Sequence, residues 1–163
     1  MSGLEIERKY LIAYPDGEAL AAARRVEIVQ TYLLSESGET HRVRSWQSGG
    51  EVRYFETVKR RVNALTCHED EREVSEAQYL ALLDRRDPAR QPIEKTRYRL
   101  PFAGHVVEID VYPFWRDRAI LEVELSSEDE TVALPDFVRV IREVTDDPRY
   151  KNAALAKQIP KDE

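Results

Sequence analysis

Apolar and polar residues alternate along most of this chain. Leu4, Ile6, Tyr10 and Ile12 fall on one face of an extended segment over 4–12, because side chains two apart share a face of a strand. The same reading predicts strands over 26–34, where the run VEIVQTYLL is β-branched and aromatic, and over 39–47, 51–61, 67–74, 93–100, 105–112 and 119–125. Turn residues separate them: Tyr14-Pro15-Asp16-Gly17, the stretch 35–38, Ser48-Gly49-Gly50 and the tight turn 101–104. Helical signals are fewer. EALAAARR over 18–25 favours about two turns of helix. Ser75 reads as an N-cap, with Tyr79, Leu80, Leu82 and Leu83 as the apolar stripe of a helix ending before Pro88. Two short helices are expected over 135–142 and 149–158. About eight strands and three or four helices make one α+β domain over 1–163, without repeat, linker or low-complexity segment.

The polar halves of these strands carry charge. Glu5, Glu7 and Lys9 share a face; so do Arg42 with Arg44, Thr57 with Lys59, Glu69 with Glu71 and Glu73, Lys95 with Arg97 and Arg99, Glu108 with Asp110, and Glu122 with Glu124. Taken one at a time, each strand is an ordinary half-solvated antiparallel strand. As a set they differ from that. Nearly every strand is charged, and most carry one sign. If the sheet closes with this face inward, cations and carboxylates converge in a lumen that is costly to leave empty. A polyanion together with divalent metal would neutralise it.

Charge over the whole chain gives a different impression. There are 25 Lys+Arg and 31 Asp+Glu in 163 residues, a net of -6. That balance argues against a nucleic-acid-binding surface, which needs a basic excess. The longest apolar run, 19–23, cannot span a bilayer, and the charged N-terminus is unlike a signal peptide. Cys67 is the single cysteine, so no internal disulfide forms. This fits a reducing, cytoplasmic setting. Composition leaves a homodimer open.

Candidate chemistry follows from the strand faces. Glu5-x-Glu7-x-Lys9 places two carboxylates on one face, about 7 Å apart, suited to hard cations such as Mg²⁺, with a lysine able to meet metal-bound phosphate. Arg42 and Arg44 suit bidentate phosphate binding. Lys59, Lys95 and Arg97 add cations, and Glu122, Glu124 and Asp110 add oxygens. His41, His68 and His105 show no zinc spacing and read as structural. Trp46, Tyr54, Phe55 and Trp115 read as packing residues. No phosphate-binding glycine loop, nucleophile elbow or dinucleotide fingerprint is present.

In order along nearly its whole length, the chain carries EIERK at 5–9, QTYL at 30–33, RVR at 42–44, TVK at 57–59, EKTRY at 94–98, EIDVY at 108–112, LEVE at 121–124 and VTDDPRYKNAALA at 144–156. With these motifs it resembles the CYTH family, the triphosphate tunnel metalloenzymes. The resemblance implies a closed eight-stranded antiparallel β-barrel with a charged interior and outer helices. It also implies Mg²⁺- or Mn²⁺-dependent triphosphate hydrolysis; the short chain with no evident base-binding element makes inorganic tripolyphosphate the expected substrate. Glu5, Glu7, Asp110, Glu122 and Glu124 become expected metal ligands. Lys9, Arg42, Arg44, Lys59, Lys95, Arg97 and Lys151 become expected phosphate ligands. Lys9 and Tyr32 form the expected catalytic dyad. Many members carry a basic residue just ahead of the acidic strand, where this chain has Cys67-His68. One phosphate contact is therefore expected to be either missing or supplied by Arg60, Arg61 or Arg72, and Glu69, Glu71 and Glu73 gain no role by resemblance. Class IV adenylate cyclase and thiamine triphosphatase are the alternative activities, and a non-catalytic polyphosphate-binding module is the alternative outside enzymes.

Overall fold

The computed structural model describes residues 2–160. Eight strands close into an antiparallel ring: β1 (Ser2–Ala13), β2 (Arg24–Leu33), β3 (Glu39–Ser48), β4 (Glu51–Arg61), β5 (Thr66–Val74), β6 (Ile93–Phe102), β7 (His105–Val111) and β8 (Arg118–Glu124). They bond in the order β5-β4-β3-β2-β6-β7-β8-β1, and β1 returns to β5. The expected α+β barrel of eight strands is therefore present. β1 closes it by dividing its length. Ser2–Ile6 faces β5, and Glu7–Ala13 faces β8. The β3–β4 hairpin turns at Gly49 and Gly50, both at positive φ (57° and 82°), which a two-residue hairpin turn of matching twist requires.

Three helical expectations change. Residues 18–25 form no helix. Their backbone closes into successive i to i+3 turns, such as Ala19 to Asp16 and Leu20 to Gly17, and Arg24 and Arg25 are drawn into β2 opposite Arg99 and Tyr98. A two-turn helix is marginal alone, and ladder pairing outweighs it. Residues 135–142 turn once, with Val138 N donating to the Pro135 carbonyl. They then enter a ninth strand, β9 (Val140–Glu143), on β1 at Tyr10–Ile12. There the β-branched pair Val140-Ile141 has a partner that the sequence pattern could not supply. The segment 149–158 shortens to a 3-10 turn (Pro148–Tyr150) and α2 (Asn152–Leu155). The Ser75 cap holds for α1 (Glu76–Leu82) as a reciprocal capping box with Gln78. Among the described residues no helix is long and apolar enough to cross a membrane.

Three apolar clusters pack this ring. Outward Val107, Ile109, Leu121 and Val123 are covered by loop residues, among them Leu20, Leu125 and Phe137, so loops take much of the role expected of outer helices. Outward Leu33, Val43 and Val74 receive Tyr79 of α1. The third cluster lies inside. Inward Leu11, Tyr32, Tyr112 and Ile120 pack against Trp115 and against Tyr150 and Leu155 of the C-terminal segment. Tyr112 Oη also donates to Asn152 Oδ1 at 2.7 Å. The barrel interior is thus part apolar stopper and part charged cavity.

Candidate active site

Directly opposed residues of an antiparallel ladder share a face, so the register reads the lumen rung by rung. Arg42, Arg44 and Trp46 of β3 stand opposite Thr57, Phe55 and Arg53 of β4 and opposite Tyr32, Gln30 and Ile28 of β2. β5 sets Glu69 and Glu71 against Lys59 and Thr57. Arg97 faces Asp110, Glu108 faces Glu122, Glu122 faces Lys9, and Glu124 faces Glu7. The alternation seen in each strand therefore converges on one interior.

A cavity of about 460 Å³ occupies it. Of the thirteen residues singled out in the sequence, eleven line it: Glu5, Glu7, Lys9, Tyr32, Arg42, Arg44, Lys59, Arg97, Glu122, Glu124 and Lys151. Lys95 and Asp110 do not. Their side chains are fully buried behind the wall, 2.8 Å apart. Arg97 reaches back to Asp110 with Nε at 2.8 Å and Nη2 at 3.0 Å.

Most cations of the cavity hold a carboxylate. Lys59 Nζ lies 2.8 Å from Glu5 and 3.6 Å from Glu69. Arg44 Nη2 donates to Glu71 at 2.8 Å, and Thr57 donates to the same oxygen. Lys9 Nζ lies 3.3 Å from Glu122 and donates to the Tyr150 carbonyl at 3.3 Å. The Tyr32 hydroxyl accepts from Gln30 at 3.4 Å. Lys9 and Tyr32 share the cavity but, among the described residues, no hydrogen bond. Arg42 is 8 % exposed, and its Nε, like that of Arg44, is buried without an acceptor among the described residues.

Electrostatics separate the carboxylates. Burial pushes Glu5 up, but Lys59 overcomes it and holds the acid at about 2. Burial, then Glu122 and Glu5, push Glu7 up to about 8. Glu69 rises to about 7 through burial and its neighbour Glu5. Glu124 rises for similar causes, burial first. Glu122, although buried, is held well below the usual range by Lys9, Arg97 and Lys95. Lys151 is lowered to about 8 by burial and by Lys9. Among the described residues the side chains of Glu7 and Glu124 have neither hydrogen bond nor ion pair. Glu122 Oε1 is buried with no hydrogen bond among the described residues, its one contact there being the Lys9 ion pair at 3.3 Å. This oxygen-only donor set, with like charges crowding and partners lacking, fits a hard divalent cation. Among the described residues no three acidic, His or Cys side chains already enclose such an ion, since Glu5 is turned to Lys59.

The register also chooses among the candidates for the missing cation and locates residues to which the sequence assigned no site role. Arg61 stands directly opposite Cys67 and lines the cavity, whereas Arg60 pairs with Glu39 and Arg72 with Glu56. Of the three arginines, Arg61 is the one that brings a cation to the lumen beside Cys67. Glu108, Glu69, Glu71 and Trp46 line it as well. The two-residue period placed the three glutamates on charged faces. Nothing local marked Trp46, because an aromatic on a strand reads as packing.

No family model matches the chain. The chain is 39 % identical to the inorganic triphosphatase of Nitrosomonas europaea over 96 % of its own length and 99 % of that protein. It is 31 % identical to the inorganic triphosphatase of Acetivibrio thermocellus over 95 % of this chain and 94 % of that one. The crystal structure of an inorganic triphosphatase superposes with a TM-score of 0.58 at 34 % identity, covering 96 % of each chain. A Pyrococcus horikoshii protein shares the fold at a TM-score of 0.57 and 19 % identity, over 77 % of this chain and 81 % of that one.

Proposed function

The chain belongs to the CYTH family of triphosphate tunnel metalloenzymes, and from that premise we propose that it is a divalent-metal-dependent triphosphatase that cleaves inorganic tripolyphosphate to pyrophosphate and phosphate. One observation carries the reading. Two buried arginines whose Nε atoms have no partner among the described residues share one cavity with Glu7 and Glu124, which have no ion pair among them. Such a cavity is complementary to a polyanion and a cation together, and to neither alone.

Arg42, Arg44, Lys59, Arg97 and Lys151 bind the phosphate oxygens. Arginine does so through paired donors, and lysine as a point charge. Substrate entry frees Glu5 from Lys59 and Glu71 from Arg44. Glu5, Glu7, Glu122 and Glu124 hold Mg²⁺ or Mn²⁺. The ion, when bound, withdraws charge from the phosphate oxygens and acidifies water. Lys95 supports Arg97 through Asp110 from behind the wall. Tyr32 orients the attacking water, and Lys9 stabilises the charge that develops on the attacked phosphoryl group. A terminal P–O–P bond breaks, water oxygen bonds to that phosphorus, and pyrophosphate departs.

The test is phosphate release from tripolyphosphate, ATP and thiamine triphosphate with Mg²⁺, with Mn²⁺ and with EDTA, alongside a cyclic-AMP assay on the ATP arm. Tripolyphosphate turnover that EDTA abolishes is expected. Faster turnover of an organic triphosphate, or cyclic AMP as product, refutes the choice of substrate. Tight polyphosphate binding without product refutes catalysis.

A further inference from the structure

Three buried nitrogen donors on the inward face of β3 have no acceptor among the described residues: Nε of Arg42, Nε of Arg44 and Nε1 of Trp46. They stand at i, i+2 and i+4, so the rungs are spaced about 7 Å apart. Buried donors without partners are rare in native proteins, and three in a row on one strand face, all on residues that line one cavity, form a pattern. Arg42 lies at the stopper end, opposite Tyr32. Trp46 stands two rungs further along β3, opposite Ile28, and is outside the stopper cluster.

We propose that the indole N–H of Trp46 is a third oxyanion donor on β3, forming a subsite for a phosphate group beyond those held by Arg42 and Arg44. The proposal rests on the triphosphatase reading and extends it to chain length. The ring itself is poorly placed to stack on a base. The Arg44 guanidinium lies over it, 5.9 Å from its centroid, and Phe55 meets it at 66° with centroids 5.7 Å apart. What the indole still offers is its N–H. An oxygen of a longer inorganic chain is the acceptor that also suits the cations beside it. Arg44 serves both subsites, through its Nε and through the Nη2 now on Glu71.

Phosphate release from tripolyphosphate and tetrapolyphosphate, measured on the unmodified protein, W46F and W46H, tests this. Phenylalanine keeps the ring and removes the donor, and histidine restores a ring N–H. In W46F the tetrapolyphosphate-to-tripolyphosphate ratio of kcat/KM falls about tenfold, through KM, the scale of one bond to a charged oxygen. In W46H the ratio recovers. An unchanged ratio in W46F, or equal losses on both chains in W46F and W46H, overturns the subsite. Calorimetric titration with the two chains keeps this separate from the triphosphatase reading. If the unmodified protein turns over neither chain, that reading fails. Selective weakening of tetrapolyphosphate binding in W46F then still supports the subsite, and equal binding overturns it.

Discussion

Arg97 grips Asp110 through two parallel bonds, Nε to Oδ1 at 2.8 Å and Nη2 to Oδ2 at 3.0 Å, and Lys95 stands 2.8 Å from the same carboxylate. Two cations share one buried acid. Burial therefore outweighs the pull of Asp110 on Lys95, whose pKa falls to about 8, while the carboxyl is held low by Arg97 first and Lys95 next, against burial. Removing the acid leaves Lys95 without an ion pair among the described residues, and leaves Arg97 only its longer contacts to Glu108 at 3.4 Å and Glu122 at 3.9 Å. Asp110→Asn is expected to cost about 3–5 kcal/mol of stability, read as a lower urea midpoint at unchanged slope. An Asp110 exposed enough to act mainly as a metal ligand would give a small loss of stability and a large loss of metal affinity.

Glu71 occupies the Arg44 donor that a phosphate needs, at 2.8 Å. Glu71→Gln removes that competing charge. The dissociation constant for tripolyphosphate, measured by calorimetry in EDTA, is expected to fall about three- to tenfold. Weaker binding would instead make Glu71 part of the attraction for the ligand.

Metal-free stability should fall as pH rises through neutrality. Glu7 keeps its proton up to about 8 and Glu69 up to about 7 in the folded protein, whereas the unfolded chain releases both protons near the ordinary carboxylate value. Between those limits the folded state binds more protons, so each rise in pH favours unfolding. Mg²⁺ held at the proposed Glu7 site would offset this. Urea midpoints are expected to drop between pH 5 and pH 8 in EDTA, and to stay level or rise in excess Mg²⁺. A rise in EDTA would contradict the burial of Glu7 among like charges.

Lys9→Ala and Glu7→Gln should each lower tripolyphosphate turnover by about 100-fold or more, with far-UV circular dichroism unchanged. Lys9 meets Glu122 and the Tyr150 carbonyl from inside the cavity, and among the described residues the side chain of Glu7 has no ion pair to lose. Retained turnover in either variant removes that residue from the machinery.

Alternation, β-branched runs and turn residues by themselves determined the eight strands, their turns and which charges share a face, because a strand's geometry is local: neighbouring side chains must point to opposite sides. The same alternation grouped most of the cavity-lining residues, strand by strand. It could not set the outcome where local preference is weak and a distant partner decides. EALAAARR favours helix alone, yet Arg24 and Arg25 are held by β6, and 140–143 becomes a strand because β1 offers an edge. Depth is likewise invisible in a linear pattern. Asp110 and Glu108 alternate identically, but the stopper formed by Tyr112, Tyr150 and Leu155 leaves one behind the wall and the other on the cavity. Only the tertiary structure decided that Arg61 stands opposite Cys67 and that Trp46 ends the row begun by Arg42 and Arg44. The register between strands is a pairing of distant segments, fixed by closure of the whole barrel rather than by any one of them.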